Sequence, residues 1–275
     1  MFLNDFKLLI LMTKTLLDRI IKKNDFNFYT SPSKKVFSEW TINQMLKIIN
    51  PLISDDDTIS LRNINLFIRT IIDPRIKQEY NIEEKKTAVE ISLNAMKGKE
   101  EKETLEEILK KLERHKRKKI YYPYDQTTLE ASNPLITERT AKKIFSYYGN
   151  EPITIIGLAN GAIIAGLDLY HKLERIKERT IYFIRYSTQK SQDKKPHIEE
   201  EEKEYLIKRS EESQTIIFDE DVSSGKTILS AKEYFEKHLG IKTMIATNSF
   251  SYYYQKIPEE LTQLIHPYYQ AGYKN

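Results

Sequence analysis

The chain has no cysteine. Disulfides, thiolate metal sites and cysteine nucleophiles are excluded, and a reducing compartment is permitted. Glycine is scarce, with 8 in 275 residues, while isoleucine, lysine, asparagine and tyrosine are plentiful. That bias carries no functional content by itself. Long apolar runs are also missing. The longest within the first 23 residues is Leu8–Met12, interrupted on either side by Lys7, Lys14, Asp18 and Arg19. A membrane span needs ~20 apolar residues, and a secretory signal needs ~7–15. Phe2, Phe6, Leu9, Leu16, Leu17, Ile20 and Ile21 are instead spaced for an amphipathic packing helix. A cytoplasmic protein with no membrane partner is the expectation. The net charge of +4 is too small to argue nucleic-acid binding alone. The balance of apolar and charged residues, 40% against 31%, is that of a globular chain with a proper core.

What is present divides into two halves, expected as a helical domain over 1–125 and an α/β domain over 126–275. In the first half, helices are expected over 35–49, which holds the single tryptophan, Trp40, and over 58–72, which Asp73-Pro74 ends. Residues 83–119 are strongly charged, with apolar positions at Val89, Leu93, Met96, Leu105, Ile108, Leu109 and Leu112. The Leu105–Leu112 face can pack on the other helices or on a second copy of the chain, giving a homodimer. The run Arg114-His115-Lys116-Arg117-Lys118-Lys119 could touch phosphates of a nucleic acid. A solvated helix C-terminus, where cations favour the dipole, is the preferred reading. His115 has no partner at metal-site spacing. Tyr121-Tyr122-Pro123-Tyr124 marks the boundary.

The second half is organised around Thr215-Ile216-Ile217-Phe218-Asp219-Glu220-Asp221-Val222-Ser223-Ser224-Gly225-Lys226-Thr227-Ile228. The apolar run Ile216–Phe218 reads as a buried strand. From Thr227 the apolar residues Ile228, Leu229, Ala231, Tyr234 and Phe235 follow a helical period. A strand, a glycine turn and a helix N-terminus together make an anion site, because unpaired backbone N–H groups and the helix dipole converge there. Ser223, Ser224 and Thr227 add hydroxyls. The carboxylates Asp219 and Glu220 cannot serve a phosphate. They suit sugar hydroxyls or a divalent cation with oxygen ligands. Together these features describe a ribose 5-phosphate site. Ser224-Gly225-Lys226-Thr227 also looks like the end of a nucleotide-binding P-loop, but that motif needs glycine where Glu220 stands. A dinucleotide fingerprint needs three spaced glycines, and this stretch has one.

At these residues the chain resembles the type I phosphoribosyltransferases. Their signature is an apolar strand, two acidic residues, two variable residues, a Ser/Thr pair, glycine, any residue and Thr. It maps onto Ile216–Phe218, Asp219 and Glu220, Asp221 and Val222, Ser223 and Ser224, Gly225, Lys226 and Thr227. The resemblance implies that the acidic pair holds the ribose hydroxyls of phosphoribosyl pyrophosphate and that the loop wraps its 5-phosphate. A second stretch, Ile153–Gly166, joins an apolar strand to a small-residue turn and a helix. It resembles the family's pyrophosphate loop, which would comprise Leu158, Ala159, Asn160, Gly161 and Ala162. Asn160 stands where many members carry a basic residue. A third strand over 181–186 contains Arg185, which matches a basic position of the family loosely, as does Lys190. The polar stretch 187–203, with Lys194, Lys195, His197 and the acidic run Glu199–Glu202, matches the place of the family's mobile loop or is a solvated linker. A further strand over 241–247 puts Asn248, Ser249 and Phe250 at its end, where Phe250 or Tyr252 can stack on an acceptor base or pack a C-terminal hood.

The fold expected is therefore α/β, a parallel-sheet phosphoribosyltransferase-type domain with helices on both faces, preceded by an all-α segment. The resemblance implies an enzyme. Phosphoribosyl pyrophosphate, or a phosphoribosyl nucleotide, is its ligand and Mg its cofactor, near Asp219 and Glu220 through hydroxyls or water. A nitrogen base is its acceptor, and Asp219, Glu220 and Arg185 are its catalytic residues. Members acting on 6-oxopurines carry an acid where Ser223 stands, which argues against hypoxanthine or guanine. The alternative is a non-catalytic sensor of a phosphoribosyl ligand, whose helical half contacts nucleic acid or protein.

Overall fold

The structure, a computed structural model, describes residues 37–41, 61–73, 77–96, 102–115, 117, 119–123, 131–159, 161–186, 195–252, 259–267 and 269–271. In chain order the elements are β1 (Phe37–Thr41), α1 (Leu61–Ile71), α2 (Ile82–Met96), α3 (Lys102–Arg114), β2 (Lys119–Pro123), α4 (Pro134–Tyr148), β3 (Ile153–Ala159), α5 (Ala162–Lys172), β4 (Arg179–Arg185), α6 (Glu200–Glu212), β5 (Gln214–Val222), α7 (Lys226–His238), β6 (Thr243–Tyr252) and β7 (Tyr269–Ala271). Short 3-10 turns lie at Lys77–Glu79 and Glu259–Leu261. Among the described residues no helix is long and apolar enough to cross a membrane.

Five strands form one sheet in the order β4-β3-β5-β6-β7. All its neighbours are parallel. Every side chain of β3 is buried. That explains why Ile153-Thr154-Ile155-Ile156 is a near-continuous apolar run rather than an alternating one: a parallel strand covered on both faces has no solvent side. Ile155, Phe183, Ile216 and Phe218 share a core with Ala141 and Ile144 of α4 and Ile163 and Leu167 of α5. Ile64, Ile68 and Ile72 from α1 and its end, and Val89, Leu93 and Met96 of α2, complete that same core. The other face, with Ile156, Leu158, Tyr182, Ile184, Ile217 and Ile245, packs against Leu206 of α6 and Ile228, Ala231 and Phe235 of α7. The expected parallel α/β architecture, with helices on both faces, is present.

The chain runs from β3 to β4 on one side, then crosses to β5 on the other. The strand order thus reverses between β3 and β5. In open parallel sheets this is the point where the loops leaving the strand ends diverge and open a crevice. The two stretches singled out in the sequence leave β3 and β5 there.

Local signals explain the flanking helices. Asn133 Oδ1 accepts from the Leu135 N–H at 2.9 Å and Pro134 occupies the first turn of α4. Gly149 closes that helix at φ 60.

Two expectations are corrected. A helix over 35–49 does not form across Phe37–Thr41, which is β1 and pairs antiparallel with β2 from Phe37↔Pro123 to Thr41↔Lys119. Phe-Ser-Glu-Trp-Thr and Lys-Ile-Tyr-Tyr-Pro are rich in aromatic and β-branched residues, which suit a pleated pair better than a helix. The described residues of the first half thus include this two-stranded pair beside α1, α2 and α3. The acidic run 199–202 is no linker either. It starts α6, with Glu200, Glu201 and Glu202 in the first turn, where the helix dipole favours carboxylates. The expected packing helix within the first 23 residues and Lys190 and Lys194 lie outside the described residues.

Candidate functional site

The 215–228 stretch folds as β5, a short turn and α7. The strand continues past the apolar run to Val222, so the three acids are its last residues but one. Alternation along a strand sends neighbours to opposite faces. Asp219 and Asp221 are partly exposed, whereas Glu220 is only 7% exposed. Gly225 starts α7 with φ 73, and a Cβ there would lie 2.6 Å from Leu261 Cδ1. Glycine is required at this position twice over, by backbone sign and by space. Ser224 Oγ accepts from the Lys226 N–H at 3.4 Å. Ser223, Ser224 and Thr227 are partly exposed around the helix start, and Lys226 is exposed.

The second loop is shorter than its sequence suggests. β3 runs through Leu158 and Ala159, both 1% exposed, so these two can offer a ligand only backbone. Gly157 lies inside the strand because the Phe183 ring crosses it. A Cβ there would be 2.5 Å from Phe183 Cδ1. Asn160 lies outside the described residues. Gly161 then begins α5. A Cβ on Gly161 would meet Glu220 Oε1 at 1.6 Å and Oε2 at 2.2 Å. The Glu220 carboxylate thus rests on the Cα of Gly161, joining the acidic pair of one loop to the glycine of the other.

Register extends this relation to β4. Phe183, Gly157 and Phe218 form one row across the three strands. Two residues further on, Arg185 pairs with Ala159 on one side, and Glu220 stands on the other. Arg185 Nη1 donates to Asp73 Oδ2 at 2.7 Å. That carboxylate is 1% exposed and follows α1.

Hydrogen bonds through backbone groups of Asp73, Lys77, His197 and Arg185 join the Arg185–Asp73 pair to a second ionic cluster. Lys77 Nζ donates to Glu202 Oε2 and to the His197 carbonyl, each at 2.7 Å. Lys85 Nζ lies 3.1 Å from Glu199 Oε2 and 3.4 Å from Glu202 Oε1. The Tyr182 hydroxyl donates to Glu202 Oε1 at 2.6 Å. Burial would raise the Glu202 carboxyl, but the Lys77 ammonium, the Glu199 N–H and the hydrogen bonds from Lys77 and Tyr182 hold it below the usual range. Burial, then the charge of Glu202 and its hydrogen bond, pushes the Tyr182 phenol well up.

No protein-family model and no curated protein sequence matches the chain. Solved structures similar to it are mostly phosphoribosyltransferases, at low identity over about half of the chain. A hypoxanthine-guanine phosphoribosyltransferase of Bacillus anthracis is 18% identical, with 50% of this chain and 76% of that one covered, at a TM-score of 0.33. A purine phosphoribosyltransferase of Pyrococcus horikoshii is 18% identical, with 52% and 93% covered, at 0.28. A hypothetical protein of Neisseria gonorrhoeae with bound ppGpp is 14% identical, with 50% and 78% covered, at 0.35. At such scores these likenesses carry no argument. The functional reading rests on the motifs and the site.

Other sequence candidates lie elsewhere. Asn248 is fully buried. Its Nδ2 donates to the Ala131 carbonyl and Thr137 Oγ1 at 2.7 and 2.8 Å, and its Oδ1 accepts from Thr140 Oγ1 at 2.7 Å. It ties α4 to β6 and faces no cleft. Phe250 is 2% exposed, with its ring 5.2 Å from that of His266, so it packs the core and cannot stack on a base. Tyr252 closes β6. Ile108, Leu109 and Leu112 of α3 are buried within the chain. Of the basic run, Arg114 ends α3 and Arg117 is exposed, while Lys119 begins β2. His115 Nε2 lies 3.5 Å from Glu79 Oε2. Lys116 and Lys118 lie outside the described residues. The sequence pattern singles out none of Lys77, Lys85 and Tyr182, reads Asp73 only as a helix stop and places Glu202 only within an acidic run. Buried charge was their only available signal, and spacing does not reveal burial.

Proposed function

We propose that the chain binds phosphoribosyl pyrophosphate with Mg at the switch point between β3 and β5, and transfers the phosphoribosyl group to a nitrogen base, releasing pyrophosphate. The observation that carries this reading is the Glu220 carboxylate resting on Gly161. It brings Glu220 of the proposed ribose-binding acidic pair against a second strand-to-helix turn, at the edge where α5 and α7 both begin.

In this reading the 5-phosphate lies at the start of α7. The backbone N–H groups after Gly225 and the hydroxyls of Ser223, Ser224 and Thr227 donate to it, and the dipole favours its charge. Asp219 and Glu220 accept from the ribose hydroxyls. The leaving pyrophosphate lies toward 159–161 and Arg185. In the reaction the bond from ribose C1 to the pyrophosphate oxygen breaks, its electron pair leaving with pyrophosphate. A bond from C1 to the base nitrogen forms, and the base loses a proton. Positive charge grows at C1 and negative charge on the leaving group. The protein contributes positioning and charge neutralisation rather than covalent help. Among the described residues no three His, Cys, Asp or Glu side chains group to hold a metal. Asp219 and Glu220 are the carboxylates that would hold Mg, through ribose hydroxyls or water, since Mg keeps several waters and takes few protein ligands. Bound there, Mg would neutralise the leaving pyrophosphate.

The test is pyrophosphate release from phosphoribosyl pyrophosphate and Mg over a panel of bases. Release with at least one base is expected, and Asp219→Asn with Glu220→Gln should slow it by about a hundredfold or more. Release that survives the double substitution contradicts the assignment. Ligand binding with no release on any base would leave a sensor of the same ligand.

A further inference from the structure

Arg185 stands at the tip of β4 beside the second loop, and its partner comes from the other half of the chain. We infer that Asp73, 112 residues earlier, is a positioning residue for Arg185, so that the helical first half completes the pyrophosphate end of the cleft. The inference rests on the proposed ligand.

Three observations support it. First, the Asp73 carboxylate is 1% exposed and 2.7 Å from Arg185 Nη1. A guanidinium is planar with donors in a fixed fork, so a buried carboxylate on one arm sets the plane and direction of the whole group. Second, Asp73 is itself fixed on both sides along the chain. Its N–H donates to the Thr70 carbonyl at 3.3 Å, and its carbonyl accepts from the Lys77 N–H at 2.9 Å. Lys77 then reaches the His197 carbonyl at 2.7 Å, and the His197 N–H donates back to the Arg185 carbonyl at 3.4 Å. One closed circuit, Asp73–Lys77–His197–Arg185, thus surrounds the end of β4. Third, Arg185 on β4 and Glu220 on β5 each lie two residues beyond the shared row Phe183–Gly157–Phe218, on either side of β3. A cation there meets the charged end of a ligand whose sugar hydroxyls lie at Glu220. The cation must point correctly to do so, since a misplacement of ~1 Å at a charged group costs up to about a hundredfold.

The experiment measures two affinities on the full chain by calorimetry: ribose 5-phosphate, which reports only the 219–227 end, and phosphoribosyl pyrophosphate with Mg, which reports both ends. Asp73→Asn should weaken the second by about tenfold or more and leave the first unchanged. Asp73→Glu should restore part of the loss. In an Arg185→Lys background, Asp73→Asn should add little, because the residue it orients is already altered. If Asp73→Asn does not fold, Asp73→Glu and Arg185→Lys are compared alone. A shared loss for phosphoribosyl pyrophosphate, with ribose 5-phosphate unchanged, supports the inference. Equal weakening of both ligands, or no change in either, overturns it and makes Asp73 a structural residue. If the unaltered chain binds neither ligand, the proposed function itself fails and the inference with it.

Discussion

The two ends of the cleft are built in different ways. The 219–227 end comes from contiguous chain: one strand, one turn and one helix, with Gly225 at φ 73 between them and Leu261 beneath. The end near 159–161 and Arg185 is assembled from segments far apart in sequence. Asp73 and Lys77 reach across 112 and 125 residues to Arg185 and Glu202. Local geometry fixes the first end and long-range buried charge fixes the second. The two should therefore fail separately and under different conditions.

The largest expected effect is at the second end. Glu202→Gln leaves the buried Lys77 and Lys85 ammonium groups without their shared partner, and removing one member of a buried pair costs about 3–5 kcal/mol. A urea titration checks this through a lowered midpoint. A midpoint within error of the unaltered chain would show that the network is incidental.

Gly225→Ala comes next and strikes only the first end. A non-glycine residue at positive φ costs about 1–2 kcal/mol, and the Leu261 overlap adds to that. Ribose 5-phosphate binding should fall together with stability. Retained affinity would mean that the turn does not hold the phosphate.

The acid response should also differ. The Glu202 carboxyl is held below the usual range. The unfolded chain therefore binds more protons in the acid region, and stability rises with pH there. This contribution is complete above the unfolded value of about 4.3 and is lost as pH falls through the folded value. Melting temperature followed from about pH 6 to about pH 3 should drop more steeply for the unaltered chain than for Glu202→Gln. Parallel curves would contradict the assigned cause.

The smallest effect on stability, and the sharpest on function, belongs to Gly161→Ala. Its backbone angles, φ −65 and ψ −49, suit alanine, so the melting temperature should barely move. The new methyl would instead displace the Glu220 carboxylate, and ligand affinity should fall by about tenfold. Unchanged affinity would separate the two loops.

How legible each end was in the sequence follows from the same difference. β5, its turn and α7 were readable because their signals are local: apolar run, acidic pair, hydroxyls, glycine and helical period. β3 was readable as an apolar strand running into a small-residue turn. The helix α6 was not, because Glu200–Glu212 buries only Glu202 and Leu206 and otherwise resembles a solvated linker. It is fixed by Lys77 and Lys85 from the other half of the chain, and no short-range pattern shows such a partner. Phe37–Thr41 was misread because five residues give too little periodicity to separate strand from helix. Phe250 looked available because it lies near a strand end, yet its face of β6 is covered by Leu261 and Leu264.

The most direct measurement is a crystal structure of the full chain with phosphoribosyl pyrophosphate and Mg. The 5-phosphate is expected within the 223–227 turn, the ribose hydroxyls at Asp219 and Glu220, and the pyrophosphate toward Gly161 and Arg185. A ligand bound with its pyrophosphate in the 223–227 turn, or away from the switch point altogether, would contradict this placement.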